Sequence, residues 1–160
     1  ICRPKPLQQP HIPFWIAGGG EKLTLNVAAR YASYTNFGQT LEEFEHKSAV
    51  LRGHCEAVGT DYESIVRSTN FNVVCEETTR DVDDRIASIR ERYRAFVAEE
   101  RLDRIERLFR PMAGTPEQLI ARLRPWQQAG MSYAIVYFQE AAYDTSGLER
   151  FAREVIPALS

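Results

Sequence analysis

The stretch FWIAGGGEKLTLNVAARY, residues 14–31, is the clearest sign of the fold class, because an apolar run passes through three glycines directly into a helical pattern. The run from Phe14 to Ala17 follows a proline and predicts a short strand. The segment after the glycines repeats apolar side chains at helical spacing, at Leu23, Val27, Ala28 and Tyr31. A strand, a glycine turn and a helix in this order are the repeating unit of a parallel α/β protein.

The same order recurs along the rest of the chain. Further strands are predicted over residues 33–38, 64–77 and 131–140. Further helices are predicted over residues 40–59, 80–110, 116–129 and 148–159, with Thr79 and Thr115 as N-caps and Gln118 completing a capping box. Helices that connect consecutive strands produce parallel pairing, so we predict an α/β fold of four parallel strands alternating with helices. Four such strands fit either a small open sheet or half of a closed eight-stranded barrel, and the spacing of the strands along the chain does not distinguish these two folds.

The third predicted strand has two different faces. One face is mainly apolar and the other carries two amides; their residues are, respectively, Thr69, Phe71 and Val73, and Ser68, Asn70 and Asn72. A strand buried between two helix layers is usually apolar on both faces. The pattern fits a barrel strand whose inward face meets a ligand near the strand end, and it fits equally a sheet-edge strand with one wet face.

Composition and charge exclude several classes of protein. At 160 residues with 44% hydrophobic residues the chain has room for one globular core, and we predict a single partial domain over residues 1–160. The formal net charge of -2 leaves no basic surplus for nucleic acid, and no apolar stretch approaches the ~18 residues of a membrane span.

Cys2, Cys55 and Cys75 are an odd number without paired spacing, which predicts a reducing, cytoplasmic location. The chain does not open with Met, and residues 1–10 are predicted to be a connector from an earlier part of a longer chain.

The three glycines, residues 18–20, lie where the first strand ends and the first helix begins. Consecutive glycines there offer unblocked backbone N–H groups and the positive end of the helix dipole, which together suit a phosphate group. A bare tight turn is the equally weighted alternative. A dinucleotide fingerprint needs a third glycine at the position of Leu23, and a Walker A loop needs a Gly-Lys pair that Glu21 interrupts here, so both motifs are excluded.

Three segments together carry a resemblance to a known family. The luciferase-like monooxygenase family, in particular its branch that uses the deazaflavin coenzyme F420, has a segment similar to residues 4–38, PKPLQQPHIPFWIAGGGEKLTLNVAARYASYTNFG. The last barrel turn of that family resembles residues 114–138, GTPEQLIARLRPWQQAGMSYAIVYF, and its usual C-terminus resembles residues 151–159, FAREVIPAL. The resemblance implies a TIM-type (β/α)8 barrel, of which this chain would be the second half, strands five to eight.

The resemblance also implies where a cofactor would lie. In that family the loop after strand five lies against the phosphate-bearing tail of the flavin or deazaflavin. By position, the cofactor-binding residues here would be Ala17, Gly18, Gly19, Gly20 and Glu21. The Glu21 carboxylate suits the positive end of the helix dipole better than it suits a phosphate, and Lys22 is available to offset its charge.

Three amides are the candidate substrate-binding residues, Asn36, Asn70 and Asn72. The family's usual Asp after ARYA is Ser33 here, and Tyr34-Thr35 replaces its commoner Gly-Trp before Asn36. For Asn36 a plain hydrogen bond at a strand end therefore remains an alternative to a contact at the mouth of the site.

The function that the resemblance implies is redox catalysis, in which coenzyme F420, or FMN as second choice, exchanges a hydride with a small organic substrate. No catalytic acid or base is assigned. No metal site is predicted, since Glu43 and His46 have the spacing of a di-iron ligand pair but lack a second copy. We expect a homodimer in the full-length form, with no nucleic-acid or membrane partner. A non-catalytic phosphate-binding module and a structural half-barrel fragment that needs its N-terminal half are the alternatives.

Overall fold

The computed structural model describes residues 3–9 and 11–160 and divides into two compact units. The first unit runs to Thr69 and includes Ala129–Ala134, and the second comprises Asn70–Gln128 and Ile135–Ser160. The prediction of one partial domain over the whole chain stays a prediction.

The predicted connector falls partly outside the described residues. Residues 3–9 are exposed and belong to no helix or strand. Cys2 and the other undescribed residues of the connector are not part of this description.

Six strands and seven helices are formed by the described residues. The strands are β1 (Trp15–Ala17), β2 (Tyr34–Asn36), β3 (Val66–Asn72), β4 (Val74–Cys75), β5 (Ala113–Gly114) and β6 (Tyr133–Tyr137). The helices are α1 (Thr24–Tyr31), α2 (Leu41–Val58), α3 (Thr79–Arg94), α4 (Glu99–Phe109), α5 (Pro116–Gln128), α6 (Ser146–Arg150) and α7 (Ile156–Leu159). A π-helical turn over Phe151–Val155 joins the last two helices.

The main sheet has the strand order β1-β2-β3-β6. β1 and β2 pair in parallel, with Trp15 opposite Tyr34 and Ala17 opposite Asn36. β2 and β3 also pair in parallel, with Tyr34 opposite Val66. These strands confirm the four that the sequence predicts and the α/β fold class, with helices as the crossover connections.

A second, two-stranded parallel sheet of β4 and β5 is not predicted by the sequence. The strand predicted over residues 64–77 is interrupted at Val73, whose backbone N–H donates to the carbonyl of Tyr137 at 2.9 Å. Beyond this residue the chain pairs elsewhere, with Val74 opposite Ala113. An apolar run of β-branched residues does not reveal a change of partner, because both halves have the same local preference.

The core of the first unit lies under α1 and α2, which pack on each other. Their buried side chains are Leu25, Ala28, Ala29, Phe44, Ser48, Leu51 and Cys55. The N-cap of α2 is Thr40, whose hydroxyl accepts from the Glu43 N–H at 3.2 Å, and the Glu43 carboxylate accepts from the N–H of the preceding residue, Gln39, at 2.9 Å. Gly59 ends the helix with a φ of 74°, a left-handed conformation that favours glycine.

The prediction of one long helix over residues 80–110 is wrong, because the structure has two helices there, α3 and α4. Residues 95–98 separate α3 from α4, and Phe96, which continues the helical spacing of Ile86, Ile89 and Tyr93, is 82% exposed. The break lets α4 pack against α3, which brings Phe109 into one cluster with Ile86 and Ile89. Burial of this apolar surface favours two packed helices over one long helix with an exposed stripe.

Two helix starts test the predicted caps. The N-cap of α3 is Thr78 rather than Thr79, since the Thr78 hydroxyl accepts from the Asp81 N–H at 3.2 Å. At α5 the Thr115 N–H donates to the Gln118 side-chain oxygen at 3.1 Å, which is one half of the predicted capping box. Within the described part of the chain, no helix is long and apolar enough to cross a membrane.

Candidate functional site

A backbone hydrogen bond joins the first residue of the glycine loop to the neighbouring strand, β2. The N–H of Gly18 donates to the carbonyl of Asn36 at 2.8 Å, and its φ of 121° is one that side chains with a Cβ rarely adopt. Regular helix begins only at Thr24, whereas the sequence predicts it from Glu21. Residues 18–23 therefore form an open turn between the strand and the helix.

Nearby side chains leave little room for a Cβ at the next two glycines, most of all at Gly20. A Cβ on Gly20 would lie 2.9 Å from the Thr24 hydroxyl oxygen, and a Cβ on Gly19 would lie 3.3 Å from Cε of Lys47. Among the described residues, no acceptor is bonded to the backbone N–H of Gly19 or Gly20. Two unpaired backbone donors on a loop without side chains are the chemistry that an anion needs.

Glu21 is held by three side chains of α2, a contact that the sequence does not reveal. Its carboxylate Oε1 accepts from Lys47 Nζ at 2.7 Å and lies 3.0 Å from His46 Nε2. Its backbone carbonyl lies 2.7 Å from His54 Nε2. Lys22, which the sequence offers as the group that offsets this carboxylate, is not among its partners; Lys47 is. A spacing of eight residues places His46 and His54 about two turns apart on one face of α2, which is the available signal.

The electrostatics of the loop follow from these contacts. The hydrogen bond from Lys47, followed by that from His46, lowers the pKa of the Glu21 carboxyl below its ordinary value of 4.5. The carboxylate is therefore charged at neutral pH and is compensated by the Lys47 ammonium. Its repulsion of an anion on the adjacent glycines is reduced accordingly.

Asn36 lies at the end of β2, on the same face as Ala17 by the strand register. Its side-chain N–H donates to the Ser68 hydroxyl at 3.0 Å, and that hydroxyl donates to the Thr35 carbonyl at 2.8 Å. Its amide thus takes part in a hydrogen-bonded chain across β2 and β3. The plain strand-end hydrogen bond that the sequence left open is present.

Asn70 and Asn72 belong to the second unit and share one face of β3. Asn70 is exposed and Asn72 is half-buried, while Phe71 between them is buried. The predicted alternation of an apolar and an amide face is therefore present in this strand. These two amides belong to the second unit, whereas the glycine loop belongs to the first.

A partly buried ion-pair cluster in the second unit is not predicted by the sequence. Glu76, directly after β4, accepts from Arg85 at 2.6 Å and from Arg150 at 3.3 Å. Arg85 also donates to Asp144 at 2.6 Å, and Asp144 accepts from the backbone N–H of Ser146 at 2.9 Å. The backbone N–H of Ser146, with Arg85 as a further donor, holds the pKa of Asp144 well below its usual range. Carboxylates paired this completely are structural rather than poised to transfer a proton.

The two described cysteines are small core residues rather than reactive thiols. Cys55 and Cys75 are both free and buried. Burial raises the pKa of Cys75 to about 11, so its thiol is protonated at neutral pH. Within the described residues, no group of three or more His, Cys, Asp or Glu side chains has an arrangement that could hold a metal ion.

No protein-family model and no curated protein match the sequence. Solved structures do match the fold of the chain. The F420-dependent tetrahydromethanopterin reductase from Methanopyrus kandleri is similar, with a TM-score of 0.66 and 15% identity, over 93% of this chain and 51% of that chain. An EDTA monooxygenase from Chelativorans sp. BNC1 has a TM-score of 0.69 and 20% identity over 98% of this chain and 46% of that chain. The oxygenating constituent of 3,6-diketocamphane monooxygenase from Pseudomonas putida, in complex with FMN, has a TM-score of 0.61 and 14% identity over 90% and 47% of the two chains.

This chain has the fold of the second half of a TIM-type (β/α)8 barrel. The resemblance to luciferase-like monooxygenases is thereby confirmed at the level of the fold. The chain spans about half the length of the solved structures that it matches. The cofactors named for these neighbours are F420, for the reductase and for a secondary alcohol dehydrogenase, and FMN, for the diketocamphane monooxygenase.

Proposed function

We propose that the protein is a flavin- or deazaflavin-dependent oxidoreductase that moves a hydride between coenzyme F420, or FMN as second choice, and a small organic substrate. The observation that carries the proposal is the loop of Gly18–Gly20 at the end of β1, where two backbone N–H groups have no acceptor among the described residues. F420 is preferred because three glycines followed by Glu21 resemble the branch of the family that uses it.

The residues present fit the phosphate-bearing tail of such a cofactor. A side chain on Gly20 would clash with Thr24, and one on Gly19 would press on Lys47, so the loop surface is bare backbone. The adjacent carboxylate of Glu21 is compensated by Lys47 at 2.7 Å. An anion on the loop would therefore meet donors and no uncompensated negative charge.

A flavin or deazaflavin, when bound, supplies the hydride chemistry through its ring. The part of this chain is to bind and orient the tail. Gly19 and Gly20 would donate their N–H groups to phosphate oxygens, and Ala17 and Gly18 would fix the loop to the sheet through the bond to Asn36. Acid and base groups for substrate chemistry are not assigned to any residue of this chain.

The substrate side and the assembly belong to the same proposal. Asn36, Asn70 and Asn72 are proposed to contact substrate, with Asn36 also bound to Ser68. We propose that the full-length protein is a cytoplasmic homodimer with a small-molecule substrate.

The test is a fluorescence titration of this chain with F420 and, separately, with FMN. Gly19→Asp places a carboxylate on the loop and is expected to weaken binding at least tenfold. The matched control is Gly53→Asp on α2, where an added Cβ meets nothing within 4 Å. Gly53→Asp is expected to leave the affinity unchanged.

Equal cofactor affinity in Gly19→Asp and in the unchanged chain would overturn the location of the tail. Binding of inorganic phosphate without binding of either cofactor would favour the phosphate-binding module instead. Failure of all three ligands to bind a folded chain would favour the structural half barrel. The same titration on a longer protein that includes an N-terminal half would then decide whether that half completes the site.

A further inference from the structure

The second unit contains a cavity of about 290 Å³ that adjoins the ion-pair cluster of Glu76, Arg85 and Asp144, since Glu140 in its wall lies 3.7 Å from Arg85. It lies between the C-terminal half of α3 and the 3₁₀ turn after β6, Gln139–Ala142. Its walls are mainly aromatic and aliphatic, from Ile89, Arg92, Tyr93, Phe96, Ala142 and Tyr143. The volume is near the lower end of that of small-molecule sites and suits a compound of one or two rings.

Two of the aromatic walls are exposed to an unusual degree. Phe96 is 82% exposed and Tyr143 is 75% exposed. Phe96 lies in the break between α3 and α4, where the chain forms no regular helix. Large aromatic side chains that remain in solvent beside a concave surface are typical of a ligand site.

The polar side chains of the cavity are Arg92, Gln139 and Glu140, and the Arg92 guanidinium is only partly hydrogen-bonded. Nη2 donates to Glu140 Oε2 at 2.8 Å, and the guanidinium carbon lies 4.3 Å from the centre of the Tyr143 ring. Nη1 is buried, and no hydrogen-bond partner for it exists among the residues that the structure describes. Buried polar atoms in proteins are almost always paired, so this donor lacks an acceptor. The atom has almost no exposed surface in this structure, and an acceptor from outside would reach it only after the Tyr143 ring, which stacks on the guanidinium, had moved.

The charge of the cavity restricts what that acceptor can be. Its two charged side chains, Arg92 and Glu140, neutralise each other. Glu140 also forms a second, longer ion pair with Arg85, at 3.7 Å. A carboxylate ligand would compete with Glu140 for the same guanidinium, whereas a neutral carbonyl oxygen would occupy Nη1 without displacing it.

We propose that this cavity binds a small planar aromatic compound whose neutral carbonyl oxygen accepts from Nη1 of Arg92. The ring packs between Tyr93, Phe96 and Tyr143. Tyr143, which covers the guanidinium and is itself exposed, turns aside to admit the carbonyl. The cavity belongs to the second unit and the glycine loop to the first, so the two sites can be tested separately.

The probes are 2-naphthamide, 2-naphthoate and naphthalene, which share one ring system and differ in the carbonyl and its charge. Binding is followed by amide chemical shifts of this chain in NMR titrations. 2-Naphthamide is expected to bind at least fivefold more tightly than either other probe, with the largest shifts around Arg92, Phe96 and Tyr143.

Arg92→Lys keeps the positive charge beside Glu140 but removes Nη1, and it is expected to weaken 2-naphthamide at least tenfold. Phe96→Ser is expected to weaken all three probes. The matched control is Arg80→Lys, an exposed residue of α3 whose nearest acidic partner is 3.8 Å away, and it is expected to change nothing. Thermal unfolding of each variant separates lost binding from lost folding.

Equal binding of 2-naphthamide by Arg92→Lys and the unchanged chain would overturn the proposal, as would naphthalene that binds as tightly as 2-naphthamide. Tighter binding of 2-naphthoate would overturn the choice of a neutral ligand. None of these outcomes bears on cofactor binding at the glycine loop, which is measured by the separate titration with F420 and FMN.

Discussion

At the scale of single residues, Lys47 determines the charge state of the glycine loop. Its aliphatic stem lies beside Gly19 and its ammonium binds the Glu21 carboxylate at 2.7 Å. Lys47→Met is expected to raise the pKa of the Glu21 carboxyl toward 4.5, and more than His46→Gln does, because Lys47 is the larger cause of the lowered value. NMR titration of the Glu21 side-chain carbon measures this directly.

The matched control is Lys22→Met, next to Glu21 in the sequence, which is expected to leave that pKa nearly unchanged. The contribution of Glu21 to stability has a defined sign. Because its pKa is lower in the folded protein, the contribution is present above the unfolded value and is lost as the pH falls through the folded value. A pKa of Glu21 that responds equally to Lys22→Met and Lys47→Met would contradict the assignment.

Arg67 in β3 is the most completely bonded charged residue of the first unit. It is 6% exposed, and it donates to the backbone carbonyls of Tyr62, Ile65 and Gly130 at 2.9 to 3.0 Å and to Glu63 at 3.0 Å. Arg67→Met removes the side-chain donor from all three carbonyls, of which only that of Tyr62 keeps another donor among the described residues, the Ile65 N–H at 3.2 Å, and it is expected to lower the free energy of unfolding by about 3 kcal/mol. Urea denaturation measures the loss.

Arg52→Met is the control for Arg67→Met, because both guanidinium groups stack on Tyr62, at 4.1 Å and 4.2 Å respectively. Arg52 is exposed and its ion pair with Glu63 is long, at 3.6 Å. Its removal is expected to cost less than about 1 kcal/mol. Similar losses for the two variants would mean that stacking on Tyr62, rather than the carbonyl bonds, is the main contribution of Arg67.

At the scale of secondary-structure elements, the start of α3 is fixed by one hydroxyl. Thr78 and Thr79 are adjacent and chemically identical, but only Thr78 accepts from the Asp81 N–H. Thr78→Ala is expected to lower the free energy of unfolding by about 1 kcal/mol, and Thr79→Ala by less than about 0.5 kcal/mol. Paired denaturation curves decide between them. A larger loss for Thr79→Ala would restore the cap predicted from the sequence.

The break between α3 and α4 shows why element boundaries are harder to predict than elements. The apolar spacing through Val82, Ile86, Ile89 and Tyr93 is helical, and α3 has that stripe. The same spacing continues to Phe96, where the structure has a turn. Local spacing records which face is apolar, but only the packing of Phe109 against α3 makes a break favourable.

At the scale of the whole molecule, the main sheet leaves aromatic side chains in solvent. Within the first unit, Trp15 is 44% exposed and Tyr133 is 47% exposed; Trp15 stacks on Tyr34 and meets Tyr133 edge-on. Trp15 also lies in β1, an edge strand of that sheet. An apolar patch beside an open strand edge favours association with another chain.

We therefore expect this chain to self-associate at micromolar concentration. Trp15→Ser combined with Tyr133→Ser is expected to raise the dissociation constant about tenfold or more, since two aromatic contacts are removed from the patch. Sedimentation velocity across a concentration series measures the change. The control is Leu7→Ser, an exposed residue outside this patch, which is expected to have no effect. A chain that is monomeric at every concentration would contradict this expectation.

Although local sequence patterns did not predict the sheet of β4 and β5 or the break between α3 and α4, they were enough to predict the four strands of the main sheet, the position of the glycine loop and the alternating faces of β3. These features depend on residues close in sequence, whose apolar spacing and turn chemistry act locally. Four features follow only from tertiary packing: the ion pair of Lys47 with Glu21, the carbonyls bonded to Arg67, the change of strand pairing from the main sheet to β4, and the cavity around Arg92. Each of these joins residues far apart in the chain, and such contacts depend on how the elements pack, which local spacing does not encode.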